Sequence, residues 1–274
     1  MEHPAQILKK LRGQARKRFG QHFLASEGVV DQIVATAQVA AGDRVLEIGP
    51  GLGVMTDKLL HAGAAVTAVE LDRDLAAYLT ERFPDIRLVQ GDAAKQDWDA
   101  ILEGDGWKCV SNLPYNVGTR IVTQLVKRPQ TFSRLVVMVQ KEVAERMVAP
   151  AGERKRGSLS VHMEAYARCR LAIRVKPGAF HPPPKVDSAV VDIRLHPAPL
   201  LGGVEPAFFE EVVRVGFSSP RKAVHNPLGR VFGKADVKSA LGDAGVKPMA
   251  RPGTLALEEW SRVAAILQEQ RNTT

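Results

Sequence analysis

Cysteine is scarce in this chain of 274 residues. The two present, Cys109 and Cys169, stand sixty positions apart. That excludes a disulfide framework and any cysteine-built zinc cluster. No apolar run approaches the ~18 residues that a bilayer span needs. The opening residues MEHPAQILKK hold no apolar h-region, so no secretory signal is expected. Internal repeats and low-complexity tracts are lacking too. What is there is an ordinary globular composition, 45% hydrophobic and 25% charged. The length suits about two domains and a sizeable core. A cytoplasmic protein is expected, with no membrane and no metal.

The net charge of +8 is unevenly placed. Residues 1–22 carry six bases (Lys9, Lys10, Arg12, Arg16, Lys17, Arg18) against one acid, Glu2. Residues 43–105 carry thirteen acids and six bases. Residues 214–251 carry eight bases and two acids. Cationic ends around an anionic middle are either solvated surface or a grip on a polyanion such as nucleic acid. On the second reading the acidic middle serves a ligand that is not a phosphate.

β-like runs alternate with helical patterns along the first two thirds of the chain. Ser26 reads as an N-cap before the periodic stretch Val29–Val39. Runs at Arg44–Ile48, Ala65–Val69, Ile86–Val89, Lys108–Ser111 and Arg134–Val139 read as strands. A helix is expected from about Val54 to His61, and another capped by Asp72 through Arg82. This alternation predicts an open parallel sheet with right-handed crossovers. Arg170–Val175 and Ala189–Leu195 look like a closing strand pair. After the Pro/Gly stretch at 197–203 the strands stop, and four short helices are expected near 206–216, 220–229, 235–244 and 257–269. The division is therefore a basic segment 1–24, an α/β domain 25–200 and a helical domain 201–274.

Chemistry-bearing residues fall at the ends of consecutive strands. Glu47-Ile48-Gly49-Pro50-Gly51-Leu52-Gly53 forms a glycine turn between the first strand and a helix. Gly49 and Gly51 let a ligand approach the backbone, and Gly53 allows close helix packing. The nicotinamide spacing G-x-G-x-x-G fails, because position 54 is Val. Glu70 ends the second strand, where a carboxylate accepts both hydroxyls of a ribose. Asp92 ends the third, where an acid accepts an adenine amine proton. The anionic middle suits a cationic sulfonium ligand better than a pyrophosphate.

Asn112-Leu113-Pro114-Tyr115 follows the fourth strand. An exocyclic adenine amine is a poor nucleophile, because its lone pair is delocalised into the ring. Two acceptors for its protons free that lone pair. Asn112 offers one through its side chain, and a backbone carbonyl at Leu113 or Pro114 offers the other. Tyr115 offers a stacking face worth about 1–3 kcal/mol. Methyl transfer is an in-line displacement, so positioning dominates.

Five blocks then resemble the bacterial small-subunit ribosomal RNA adenine dimethyltransferases, whose loss confers kasugamycin resistance. They are Gly20–Leu24, Glu47–Gly53, Val69–Asp72, Asn112–Val117 and Phe180–Ser188, the last reading F-H-P-P-P-K-V-D-S. The resemblance runs from about Lys17 to Leu195 and more loosely to the end. It implies a Rossmann-like class I methyltransferase sheet of seven strands with a small C-terminal all-α domain. It implies S-adenosylmethionine as cofactor. The implied reaction dimethylates the N6 amines of two adjacent adenosines in the 3′-terminal hairpin loop of 16S rRNA. The implied substrate is the 30S particle or its precursor, with a role in its biogenesis, and the protein is expected to be a monomer.

Carried over by residue, His22 and Leu24 border the cofactor, and Gly49, Pro50 and Gly51 pass beneath its methionine part. Glu70 holds the ribose, Asp92 the adenine amine, and Asn112 sits between cofactor and target amine. Phe180 stacks on the flipped adenine opposite Tyr115. Taken alone, Phe180 reads as a core plug and His22 as a surface histidine. Arg16, Lys17, Arg18, Arg221 and Lys222 are the expected RNA contacts. Two departures stand out. The helical domain carries Arg221-Lys222-Ala223-Val224-His225-Asn226 where the family has R-K-T-L-R-N. Arg156 replaces the Tyr of a usual Tyr-Gly before Leu159, adding charge that shifts an RNA contact.

Other readings share parts of this pattern. A 23S rRNA adenine methyltransferase shares the glycine turn, though Tyr115 and the Phe180–Ser188 block favour the small subunit. An rRNA-binding assembly factor with dispensable catalysis is opposed by the intact Glu70, Asp92, Asn112 and Tyr115. A DNA adenine methyltransferase has the same chemistry. A nicotinamide oxidoreductase is opposed by the glycine spacing.

Overall fold

The computed structural model describes residues 22–273. Gly20, Gln21 and the expected RNA contacts Arg16, Lys17 and Arg18 lie outside those residues. The described residues divide into two compact units, 22–144 with 169–197 and 145–168 with 198–273. The 25–200 boundary read from sequence differs from this, because residues 145–168 join the helical unit.

Unit one is built on a seven-stranded sheet of order β4-β3-β2-β5-β6-β9-β7. The strands are β2 (Arg44–Ile48), β3 (Ala65–Glu70), β4 (Arg87–Gln90), β5 (Trp107–Asn112), β6 (Phe132–Gln140), β7 (Ala167–Val175) and β9 (Ser188–Leu195). From β4 to β6 all neighbours are parallel, with Leu46 opposite Thr67 on one side and Cys109 on the other. β9 runs antiparallel to β6, pairing Val137 with Val191. The sheet is thus mixed rather than wholly parallel, and the expected closing pair lies at its end. The central strands are buried on both faces, which explains their unbroken apolar runs.

The helix Glu27–Ala37 buries Val30, Ile33 and Ala37, the three- and four-residue spacing of one helical face. These side chains share a core with Val45, Val136 and Val190. Ser26 occupies its N-cap without a side-chain hydrogen bond. Asp72 does cap the helix Arg73–Arg82, accepting from Asp74 N at 3.0 Å, worth ~1 kcal/mol. A separate pair, β1 (Phe23–Leu24) and β8 (Phe180–His181), sets Phe23 opposite His181 and Leu24 opposite Phe180. Two-residue strands carry no periodicity, so the sequence pattern gave no sign of them.

Unit two is helical. Helices Ser158–Tyr166, Pro206–Gly216 and Leu257–Thr273 pack together around Trp260, which is fully buried and stacks on Phe217. Helices His225–Val231 and Lys234–Asp243 complete it. Arg156 corrects the sequence reading. Its guanidinium is buried, donates to the carbonyls of Ala149 and Leu255 at 3.1 Å, and pairs with Glu164 at 2.8 Å. It pins the loop before Ser158 inside this unit and presents no charge to RNA. Ala223 and Val224 are likewise internal, with Val224 N donating to Ala250 O. Arg221 and Lys222 are exposed in the turn ahead of them.

Candidate active site

Sheet order brings the chemistry-bearing strand ends side by side. Asp92 follows β4, Glu70 ends β3, the glycine turn follows β2 and Asn112 ends β5, and these four strands are neighbours in that order. Ligands of open α/β sheets bind at this carboxyl edge. A cavity of about 190 Å³ lies there, well beyond the ~30 Å³ share of one water. His22, Leu24, Gly49, Pro50, Gly51, Glu70, Asp92 and Asn112 all line it. Leu113, Pro114 and Tyr115 line it as well.

The glycines are there for backbone reasons. Gly49, Gly51 and Gly53 have φ of 67°, 59° and 77°, a region that costs other residues about 1–2 kcal/mol. A Cβ on Gly51 would lie 2.9 Å from the Phe23 ring, and one on Gly53 would overlap the Phe83 ring. Gly49 keeps the turn 3.7 Å from Pro114 at the site of a Cβ. The turn is therefore threaded between β1, Phe83 and the Asn112–Tyr115 segment.

Glu70 holds this turn open. Its Oε1 accepts from Asp72 N at 2.9 Å and its Oε2 from Gly51 N at 3.2 Å. Each oxygen keeps a further lone pair for a hydroxyl facing the cavity. Asp92 accepts from Ala94 N at 2.9 Å, which fixes its carboxylate at the cavity edge. Asn112 donates its amide to His22 O at 3.3 Å. Its Oδ1 is buried with no hydrogen-bond partner among the described residues. A buried acceptor left open costs about 1–3 kcal/mol, which makes this oxygen a candidate acceptor for a ligand's donor.

Glu47 stands inside the apolar strand R-V-L-E-I, and an acid in such a run is itself a signal that residue spacing alone does not single out. It lines the cavity and is 1% exposed. Burial pushes its carboxyl up to about 8, against a hydrogen bond from Thr56 Oγ1 at 2.7 Å that lowers it. Burial also raises Glu70, against the N–H groups that lower it. Neither carboxyl has an ion-pair partner among the described residues. Two carboxyls thus line the cavity with no lysine or arginine among the described residues beside them, and Glu47 holds its proton at neutral pH. Leu71, 44% exposed, adds an apolar face to the cavity.

Phe180 lies apart from Tyr115 in this structure. Its ring is 4% exposed and packed in the core with Leu24, Ile33, Val175 and Val190. Phe180 is not among the residues that line the cavity, whereas its strand partner Leu24 is. Tyr115 faces the His22 ring instead, with centroids 5.6 Å apart and planes tilted by 32°. Its hydroxyl shares a 2.5 Å hydrogen bond with Ser188 Oγ, and burial raises the phenol. No cluster of metal-ligating side chains occurs among the described residues, and no helix there is long and apolar enough to cross a membrane.

Residues 12–269 match the family model described as ribosomal RNA adenine dimethylase. The chain is 44% identical over 255 residues to the ribosomal RNA small subunit methyltransferase A of Syntrophotalea carbinolica, covering 92% of this chain and 97% of that one. It is 41% identical to the protein of the same name from Thermosynechococcus vestitus, covering 93% and 98%. Among solved structures it is similar to a dimethyladenosine transferase from Plasmodium falciparum. That match has a TM-score of 0.76 and 23% identity over 91% of this chain and 98% of that one. It is also similar to the 23S rRNA methyltransferase ErmE, with a TM-score of 0.67 and 27% identity over 90% and 99%.

Proposed function

The chain belongs to the ribosomal RNA adenine dimethylase family, and from that premise we propose that its cavity binds S-adenosylmethionine and methylates adenosine N6 in 16S rRNA. The proposed product is N6,N6-dimethyladenosine at two adjacent positions of the 3′-terminal hairpin loop. The acceptor is the 30S particle or its precursor, and the enzyme works as a monomer.

The observation that carries this is the open Oδ1 of Asn112, buried beside the glycine turn. The residues present fit the cofactor. Gly49 to Gly51 supply a backbone cradle, Glu70 an acceptor pair for a ribose, and Asp92 an acceptor for an adenine amine. Glu47 and Glu70 line the cavity without a cation among the described residues beside them, and a ligand with a positive centre would draw both carboxyls toward the ionised form. The cofactor supplies an electrophilic methyl group. This chain supplies position and hydrogen bonds. Asn112 Oδ1 accepts one proton of the target amine. Pro114 O already accepts from Val117 N and Gly118 N, which favours the Leu113 carbonyl as the second acceptor. Tyr115, fixed by Ser188, offers its ring to the base. Arg221 and Lys222 are exposed cations suited to phosphates.

The test is transfer of labelled methyl groups to 30S particles lacking this modification, with 50S particles alongside. Label is expected in the 16S 3′-terminal hairpin as dimethyladenosine. Asn112→Ala should lower the rate by at least about 10²-fold, the usual effect of removing one preorganised hydrogen-bonding group from a reacting centre. Cofactor-dependent label in 23S rRNA instead, the reading favoured by the likeness to ErmE, would keep the chemistry and overturn the substrate. Binding to 30S without transfer to any acceptor would leave an assembly factor.

A further inference from the structure

We propose that the loop 182–187 is the RNA-gripping rim of the cavity, with Val186 as an apolar plug that fills the gap left by the displaced adenine. The inference rests on the proposed rRNA reaction and adds a positioning residue to it.

Both ends of this loop are tied to residues that line the cavity. At the entry, His181 pairs with Phe23 and Pro182 O bonds to His22 Nδ1 at 2.9 Å. At the exit, Ser188 bonds to Tyr115. Asp187 is held three ways. Its carbonyl accepts from Lys141 N at 2.9 Å, and its carboxylate meets Lys176 Nζ at 2.9 Å and Lys141 Nζ at 3.9 Å. Pro182, Pro183 and Pro184 restrict the backbone between these anchors. Such a loop is stiff, and what it displays is displayed at little entropic cost.

What it displays is Pro183, Lys185 and Val186, all exposed, with Val186 at 46%. Val186 is thus a branched apolar side chain half in water, on a pinned loop whose two ends hold His22 and Tyr115 of the cavity. A target base must leave its stack to reach the cavity, at a cost of a few kcal/mol. Proteins that unstack nucleic acid commonly insert an apolar side chain into the gap. Phe180 is buried and Tyr115 faces the cavity, so neither is placed outside it to fill that gap. Val186 is, and Lys185 beside it offers a charge to the adjoining phosphate.

The test compares Val186→Ser, Val186→Ile and Lys185→Gln with the wild type on undermethylated 30S particles. Val186→Ser should lower kcat at least about tenfold, a part of the unstacking cost that one buried isopropyl group offsets. KM for the cofactor and the melting temperature should be unchanged. Val186→Ile should restore kcat. Lys185→Gln should raise KM for the particle and leave kcat near wild type. A Val186→Ser protein with wild-type kcat would overturn the plug, as would an equal loss in Val186→Ser and Val186→Ile or a lowered melting temperature. A wild type that methylates no ribosomal particle would overturn the functional reading itself and the plug with it.

Discussion

The two ends of the sheet in unit one treat their carboxylates in opposite ways. At the carboxyl end, Glu47 and Glu70 are buried without a cation among the described residues, and burial raises both. At the amino end, Asp192 is as buried, yet its carboxyl is lowered. Burial acts to raise it, and hydrogen bonds from Arg134 and Arg170 more than offset that. Arg134 reaches both Asp192 oxygens, at 2.7 and 2.9 Å, and its remaining nitrogen donates to Gln38 Oε1 at 2.6 Å. Lys108 joins the same corner, meeting Gln38 O and Asp43 at 2.7 Å each. One end is neutralised by its own side chains and locks β6 to β9. The other keeps two carboxyls without a cation, and burial holds them toward the protonated form.

The two largest predictions take a carboxylate from each end and expect opposite signs. Asp192→Asn strands a buried guanidinium and should destabilise the protein by about 3–5 kcal/mol in urea unfolding. Methyl transfer per folded molecule should stay near wild type, and a destabilisation under ~1 kcal/mol would break the comparison. Glu47→Gln should stabilise. Folded Glu47 keeps its proton up to about pH 8, against an ordinary value of 4.5 for a free glutamate. Between those values the unfolded chain binds fewer protons than the folded one, so wild-type stability falls as pH rises and levels off above about 8. The Gln variant lacks that slope and should be more stable at pH 7, on the order of a few kcal/mol. Parallel stability–pH curves for the two proteins would refute the unpaired reading of this site.

Much of this contrast was legible in the sequence, and the illegible part has definite causes. Strand ends carrying Gly49, Glu70, Asp92 and Asn112 could be read from run lengths, because parallel strands buried on both faces are continuous apolar blocks. Asp72 could be read as a cap by residue type. Ser26 could not be told from it, since whether a cap bonds depends on a rotamer. The burial of Phe180 and Arg156 was hidden for one reason: it comes from tertiary partners, here Leu24 and Glu164, that no local pattern names. The Arg134–Asp192 lock was equally hidden, joining residues fifty-eight positions apart across β6 and β9.

A smaller effect concerns backbone rather than charge. Both ends use a left-handed residue, Gly53 with φ 77° at the site and Gln38 with φ 52° at the amino end. Gly53 is there because a Cβ would meet Phe83 and Leu79. Gln38 is there because its side chain and carbonyl serve Arg134 and Lys108. Gly53→Ala should therefore cost about 2 kcal/mol of stability from φ strain and overlap together, and weaken cofactor binding in calorimetry. A neutral Gly53→Ala would mean that the turn is not held against Phe83.

The smallest effect is expected at Asp43, and its size decides how far the amino-end lock extends. Burial acts to raise Asp43, and hydrogen bonds from Lys108 and Ala40 N more than offset it, so its carboxyl is lowered. Its contribution is present above the ordinary carboxylate range and is lost as pH falls through the lowered value. Its side chain is 25% exposed, so salt and water screen the pair with Lys108. Asparagine at this position still accepts from Ala40 N, and Lys108 keeps Gln38 O. Asp43→Asn should then cost about 0.5 kcal/mol at pH 7, less at high salt and nothing in acid. Combined with Asp192→Asn it should be additive within ~0.5 kcal/mol. A loss on the scale of Asp192→Asn, or a strongly non-additive pair, would mean that Gln38 couples both ion pairs into one network. The neutralised end would then be a single lock spanning β2, β5, β6 and β9.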